Sequence, residues 1–198
     1  MHRELSHIEL SGRVLDLGGD KRSEYTRLFQ GDFKIKSVNI AAAAQPDHIF
    51  DLERAFPLPD ASADTVVCIN ILEHLYNHQH FLRECARVVR AGGLMVLAVP
   101  FVMQVHPSPR DYFRFTDEAL SRMCADAGFH AISVRPVGRG PFTAAAQIAY
   151  NPLSKVPLLA SLHAAVCAGA DRLLHRLDRK GSFNAARYPL GYLVVARR

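Results

Sequence analysis

Short β-rich runs alternate with helical patterns through the first 136 residues, and this alternation constrains the fold more than any other feature of the chain. Arg13–Leu17 (RVLDL) reads as a buried strand that ends at Gly18-Gly19, with Ser23–Phe29 as a short helix behind it. Further strands are expected at Phe33–Ile40, His48–Leu52, Thr65–Ile69, Leu94–Val99 and His130–Val134. Asn77 is placed to cap a helix whose apolar positions Phe81, Leu82, Cys85, Val88 and Val89 fall at helical spacing, with Gly92-Gly93 as its stop. Thr116 is placed to cap a second helix over 117–127, with Asp117 and Glu118 in its electropositive first turn. Strands separated by helices form βαβ units, so the expectation is an α/β fold with a doubly wound, mostly parallel sheet covered on both faces.

Residues 141–183 break this rhythm. Leu158, Leu159, Leu162, Val166, Ala170, Leu173, Leu174 and Leu177 make an apolar stripe at steps of three and four, which predicts one or two amphipathic helices. Tyr188–Ala196 then returns to strand character, with Pro189 and Gly191 suiting an edge or a bend. A chain of 198 residues supports one sizeable core. The expectation is therefore a single domain over 1–198, with a core at 12–136, a helical insertion at 141–183 and a final strand at 187–197.

The net charge of +5 hides a division. Residues 1–134 hold 14 Lys and Arg against 17 Asp and Glu, whereas residues 135–198 hold 10 against 2. A weakly acidic body is thus joined to a basic C-terminal third, which suits either an anionic partner or a solvated arginine face. The four cysteines are widely spaced without a CxxC pair, and they read as reduced thiols of a cytoplasmic protein. The start, MHRELSHIEL, has no secretory hydrophobic region, and the uncharged stretches Gly140–Ser154 and Val156–Ala170 are too short to span a bilayer.

Ligands of an open parallel sheet bind beyond the C-terminal ends of the strands, where strand order reverses. The ends to inspect are Asp16–Gly19, Asn39, Asp51–Leu52, Asn70–His74 and Val99–Arg114. The glycine pair brings backbone close to a ligand, but a GxGxxG fingerprint from Gly18 would need glycines where Asp20 and Ser23 stand. Asp20 would also set a carboxylate where a pyrophosphate must bind, and no GxxxxGK[ST] occurs. The loop suits a ligand that carries a cation near the glycines.

VLDLGG at 14–19, FPLPDASADTVVCINILEHL at 56–75, LRECARVVRAGGLMVLAVP at 82–100 and HPSPRDYFRFTDEAL at 106–120 together resemble a class I S-adenosylmethionine-dependent methyltransferase. The nearest subgroup is the small type 11 enzymes. The resemblance covers 12–136, and YPLGYLVVARR looks like the family's last, antiparallel strand, which implies a Rossmann-like sheet of seven strands with a C-terminal helical insertion. It implies S-adenosylmethionine as cofactor. Asp16 and Gly18 would hold its methionine end, with Gly19 keeping the loop open. Asn39 would bind the ribose in place of the family's usual acid, Asp51 would face the adenine amino group, Leu52 the ring, and Asn70 would bond the methionine moiety through its backbone. The chain departs from the family loop GxGxG at Asp20 and Arg22.

Methyl transfer from a sulfonium is an in-line displacement, helped by alignment and exclusion of water, and a hydroxyl acceptor also wants a base. His106, just past the fifth strand, is the candidate base, with tying down its loop as the alternative. Tyr112 and Arg114 in DYFRFT are candidate substrate residues; core packing for Tyr112 and pairing with Asp111 for Arg114 are the alternatives. His74, His78 and His80 suggest a metal, and Asn70 with Glu73-His74 resembles a related subgroup in which two glutamates and a histidine bind a divalent ion, but Asn70 replaces the first glutamate, so no metal is expected. The expected activity is transfer of a methyl group, at oxygen, to a small-molecule, glycan or lipid-linked acceptor that is anionic if the basic third recognises it. The basic stripe Arg172, Arg176 and Arg179 also allows peripheral membrane contact through 152–179. A non-catalytic cofactor-binding protein, an NAD-dependent oxidoreductase and a nucleic-acid methyltransferase are the alternatives, and no nucleic-acid partner is expected.

Overall fold

The computed structural model of the protein describes residues 2–153, 155–178 and 181–198. The chain divides into two compact units: Met1–Val99 with Pro107–Arg135 and Leu193–Arg198, and Pro100–His106 with Pro136–Tyr192. The division at Arg135 falls one residue from the charge boundary seen in the sequence.

The architecture is a seven-stranded sheet in the order β3-β2-β1-β4-β5-β7-β6. Its strands are β1 (Gly12–Leu17), β2 (Phe33–Asn39), β3 (His48–Ile49), β4 (Ala63–Ile69), β5 (Val89–Pro100), β6 (His130–Val137) and β7 (Gly191–Arg197). β1 pairs in parallel with β2 and β4, β2 with β3, and β4 with β5. β7 runs the other way. The amide of Gly92 donates to the carbonyl of Arg198, while that of Phe101 donates to Leu190, so rising numbers on one strand meet falling numbers on the other. Strand order thus reverses between β1 and β4, the switch point where an open sheet splays to admit a ligand.

Successive side chains on a strand point to opposite faces, and Val66, Val67 and Cys68 are all wholly buried, so both faces of β4 are covered. The short helix α1 (His2–Leu5) precedes β1, and α2 (His78–Val88) buries Phe81, Leu82, Cys85 and Val88. α3 (Asp117–Asp126) follows Thr116, whose hydroxyl accepts from the Ala119 amide as the sequence predicts. Asn77 precedes α2 without making a side-chain cap; its amide donates to Glu53 Oε1 at 2.8 Å instead.

Two boundaries differ from the sequence reading. Gly92-Gly93 does not stop the helix: α2 ends at Val88 and the chain passes directly into β5. Gly92 takes φ +73, and a Cβ on Gly93 would lie 2.7 Å from the Asp64 carbonyl oxygen, so the pair serves a kink inside the strand. There the register jumps from Ala63↔Val89 to Thr65↔Leu94. The third strand stops at Ile49, which leaves Asp51 and Leu52 in a loop. At the opposite end of the sheet, Asp64 clamps three strands by accepting from the Arg13 amide at 2.8 Å and pairing with Arg90. Those bonds, the Arg13 amide first, hold its carboxyl below the usual range.

The second unit holds α4 (Pro141–Leu153) and α5 (Pro157–Leu177), so the predicted helical insertion is a pair of helices. Arg179 lies outside the described residues.

Candidate active site

A cavity of ≈ 460 Å³ opens at the C-terminal ends of β1, β2 and β4, a size ordinary for a small-molecule site. Gly18 lines it from β1, Asn39 and Ile40 from β2, Asp51, Leu52 and Glu53 from the loop after β3, and Asn70, Ile71, His74 and Leu75 from the turn after β4. Ser108, Pro109, Arg110 and Tyr112 complete the wall. Five of the seven cofactor residues expected from the sequence therefore meet here: Gly18, Asn39, Asp51, Leu52 and Asn70.

The glycine loop is held open by its own chemistry. Gly18 has φ +90, and a Cβ there would lie 2.6 Å from Ile71 Cγ1, so any side chain would displace the turn that follows β4. The Gly18 amide donates to Val38, and Asn39 Nδ2 donates to the carbonyls of Gly18 and Gly19 at 3.1 and 3.3 Å. Asn39 Oδ1 accepts from the Ala41 amide. The amide that replaces an acid thus ties the loop to β2, with a lone pair on Oδ1 left for a ligand hydroxyl. Asp20 and Arg22, which interrupt the glycine pattern, bond to each other at 2.9 Å, with Arg22 largely in solvent, so the departure resolves into a neutral surface pair.

Asp16 and Gly19 stand behind the cavity rather than in its lining. Asp16 is almost wholly buried and accepts the Tyr25 hydroxyl on both oxygens, at 2.7 and 2.9 Å. Burial raises its carboxyl from 3.8 to about 7; the Tyr25 bond opposes the rise and Asp20 adds to it. A Cβ on Gly19 would collide with the same carboxylate, so Gly19 is where the loop backbone passes over Asp16. No pattern in the sequence marks Tyr25 as this partner.

Asp51 accepts from the Glu53 amide at 2.9 Å and lies 3.4 Å from Arg54 Nε. Asn70 takes φ +51 and its amide donates to Ala98, so the group it offers a ligand is its carbonyl. With Asp51 and Glu53 in one wall, these acceptors favour a ligand with ammonium and hydroxyl groups over a pyrophosphate.

The sequence suggests His74 only as a metal ligand, yet it lines the cavity. Its Nδ1 lies 2.6 Å from the carbonyl of Arg110. A carbonyl only accepts, so Nδ1 carries a proton and donates it to Arg110. Nε2 is 3.7 Å from Glu73 Oε1. The Tyr112 amide donates to the Glu73 carbonyl at 2.8 Å, so residues 110–112 are stitched to the turn bearing His74. The available signal lies in spacing, since His74 follows the strand-ending Asn70 by four residues.

Tyr112 is exposed and lines the cavity, its ring 5.3 Å from that of Tyr76, while Phe115 is buried on the alternate side of the segment. Arg114 forms a two-point pair with Asp111, at 2.6 and 2.8 Å, and is not in the lining. That pair is the alternative the sequence leaves open for Arg114. His106 belongs to the second unit, where its Nδ1 is 3.1 Å from the Gln104 carbonyl. His78 packs its ring against Phe113 and Phe115, and burial lowers its pKa.

Residues 15–97 match the family model of a methyltransferase domain of type 11. A probable S-adenosylmethionine-dependent methyltransferase of Mycobacterium tuberculosis is 36% identical over 91 residues, which is 43% of this chain and 33% of the relative. The match thus takes in about a third of that relative's length. A ubiquinone biosynthesis O-methyltransferase of Azoarcus is 25% identical over 170 residues, covering 77% of this chain and 61% of the relative. Among solved structures, a SAM dependent methyltransferase from Archaeoglobus fulgidus superposes with a TM-score of 0.61 over 99% of this chain and 90% of that one, at 17% identity. At that identity the likeness is one of fold.

Proposed function

We propose, from the match of residues 15–97 to the model of a methyltransferase domain and from the likeness to a relative named as a probable S-adenosylmethionine-dependent methyltransferase, that the protein transfers a methyl group from S-adenosylmethionine to oxygen on a small-molecule, glycan or lipid-linked acceptor. The observation that carries the reading is the convergence of Gly18, Asn39, Asp51, Leu52 and Asn70 on one cavity at the switch point of the sheet.

When bound, the cofactor supplies an activated methyl group on a sulfonium centre. The chain's residues bind and align. Gly18 brings backbone to the methionine end, Asn39 Oδ1 accepts from a ribose hydroxyl, the Asp51 carboxylate accepts from the adenine amino group, and Leu52 packs on the ring. Asp16 acts behind the loop by fixing Tyr25 and the path of Gly19. Ser108–Tyr112 wall the cavity and limit water around the acceptor.

Transfer to a hydroxyl needs a proton acceptor. His74, which lines the cavity and is oriented there by the bond from its Nδ1 to the Arg110 carbonyl, is the first candidate. His106 is the second candidate, and Tyr112 is the candidate acceptor contact, while Arg114, paired with Asp111, holds the segment that carries it. The relative named for ubiquinone O-methylation supports oxygen as the acceptor atom.

The reading is tested with radiolabelled methyl donor offered to phenolic, glycan and lipid-linked hydroxyl acceptors. Turnover is expected on one class, with S-adenosylhomocysteine as an inhibitor. His74→Gln is expected to lower kcat by about a hundredfold or more with donor binding kept, and the same outcome for His106→Gln alone would move the base to that residue. Donor binding with no turnover on any acceptor would leave a non-catalytic binding protein.

A further inference from the structure

α5 turns its small side chains inward and its large ones outward. Ala160, Cys167 and Asp171 are its buried residues, whereas Leu158, Leu162, Val166, Leu173 and Leu177 are between 59% and 80% exposed. At about 100° per residue, these five side chains lie within an arc of about 100° on the side away from the buried three. An amphipathic helix covering its own core has the reverse arrangement. The helix has 21 residues, so the stripe runs roughly 30 Å. Among the described residues no helix is long and apolar enough to cross a membrane.

The charges indicate what covers the stripe. Asp171 is the only acid in α5, and it is buried with both oxygens committed: it accepts from the amides of Phe142 and Thr143 at 3.0 and 2.8 Å and from the Thr143 hydroxyl at 2.7 Å. The outward face of α5 therefore bears no carboxylate, while Arg172 and Arg176 stand exposed along one of its edges. Beside that edge Arg139, Asp171, Arg172, His175 and Asn184 line an open cavity of ≈ 330 Å³. Among the described residues no ion pair engages Arg139, Arg172 or Arg176. A long apolar stripe bordered by uncompensated arginines and a cationic pocket matches the layered chemistry of a lipid leaflet, with acyl chains below and phosphates above. A second copy of this chain packed stripe to stripe would answer the leucines but would bring no carboxylate to Arg172 and Arg176, because the one acid of α5 is buried.

We propose that α5 lies along the surface of an anionic bilayer, its leucine stripe among the acyl chains and Arg139, Arg172 and His175 around a lipid phosphate. The inference concerns the second unit alone and stands whether or not the first transfers methyl groups.

The test is co-sedimentation of the full chain with vesicles of phosphatidylcholine alone and of equal parts phosphatidylcholine and phosphatidylglycerol. The protein is expected to sediment with the anionic vesicles, less so as salt is raised, and weakly with the neutral ones. Leu158→Gln, Leu162→Gln and Leu173→Gln together are expected to lower the partition coefficient by about fivefold or more per leucine, with circular dichroism unchanged because all three side chains are exposed. Arg172→Gln with Arg176→Gln is expected to cost about fivefold per charge on anionic vesicles and to leave neutral ones unaffected. This pair also keeps the test decisive should the leucine variant misfold. No sedimentation with anionic vesicles, equal binding to both compositions, or a dimer in solution that the leucine substitutions dissociate would each overturn the proposal, the last in favour of a second copy.

Discussion

Replacing Asp16 by asparagine tests whether the carboxyl behind the glycine loop is as isolated as the structure makes it. The folded protein holds this group near 7, against 3.8 ordinarily, with burial as the main cause. Between those values the native state keeps a proton that the unfolded chain has released, so stability from this group is greatest below about pH 4, falls as pH rises, and levels off above about pH 7. At about 1.4 kcal/mol per unit the whole window is worth about 4 kcal/mol. The asparagine side chain would keep a carbonyl for the Tyr25 hydroxyl and would not titrate. Any penalty from its amide nitrogen is a constant offset. In urea unfolding followed by circular dichroism, the stability of Asp16→Asn relative to wild type is therefore expected to rise by about 3 kcal/mol between pH 5 and pH 8. A difference that stays flat across that range would mean that Asp16 ionises like an exposed carboxyl, and the packing of Tyr25 and Gly19 over it would be wrong.

Two further substitutions probe the frame around the sites. Asp171→Ala removes the acceptors for the first amides of α4 and is expected to cost about 1–3 kcal/mol, seen as faster hydrogen exchange in Phe142–Ala146 with the β1–β4 amides unchanged. At Asn70, whose φ is +51, Asn70→Gly should be tolerated within about 0.5 kcal/mol, whereas Asn70→Val should lose at least about 1 kcal/mol and lower donor affinity by displacing the turn that carries Ile71 and His74. A thermal melt separates the two variants, and equal melting temperatures would contradict the argument from backbone strain.

The sheet was legible because its strands are continuous apolar runs and its helices have a clear period. Every expected strand is present, and Thr116 caps where the sequence places it. The boundaries that moved did so for reasons a linear pattern does not carry. Gly92-Gly93 looks like a helix stop, but the same residues serve a kink where the Asp64 carbonyl leaves no room for a side chain. His48–Leu52 has strand composition throughout, yet only two residues find a pairing partner on β2. In the site, the strand ends located the cavity, and the resemblance to the methyltransferases singled out Gly18, Asn39, Asp51, Leu52 and Asn70 among the residues there. The roles of Asp16 and His74 depend on tertiary partners, Tyr25 and the Arg110 carbonyl, that no spacing encodes. The outward leucines of α5 were visible as a stripe, but which side of the helix would be buried was set by Asp171 folding back onto α4.

Calorimetric titration with S-adenosylhomocysteine, comparing wild type with Asp51→Ala, tests most directly whether the cavity at the ends of β1, β2 and β4 holds the cofactor. Saturable one-to-one binding to the wild type is expected, weakened by about tenfold to a hundredfold in the variant through loss of a charge-assisted hydrogen bond. No binding at millimolar ligand, or equal affinity in the two proteins, would mean that this cavity is not the cofactor site.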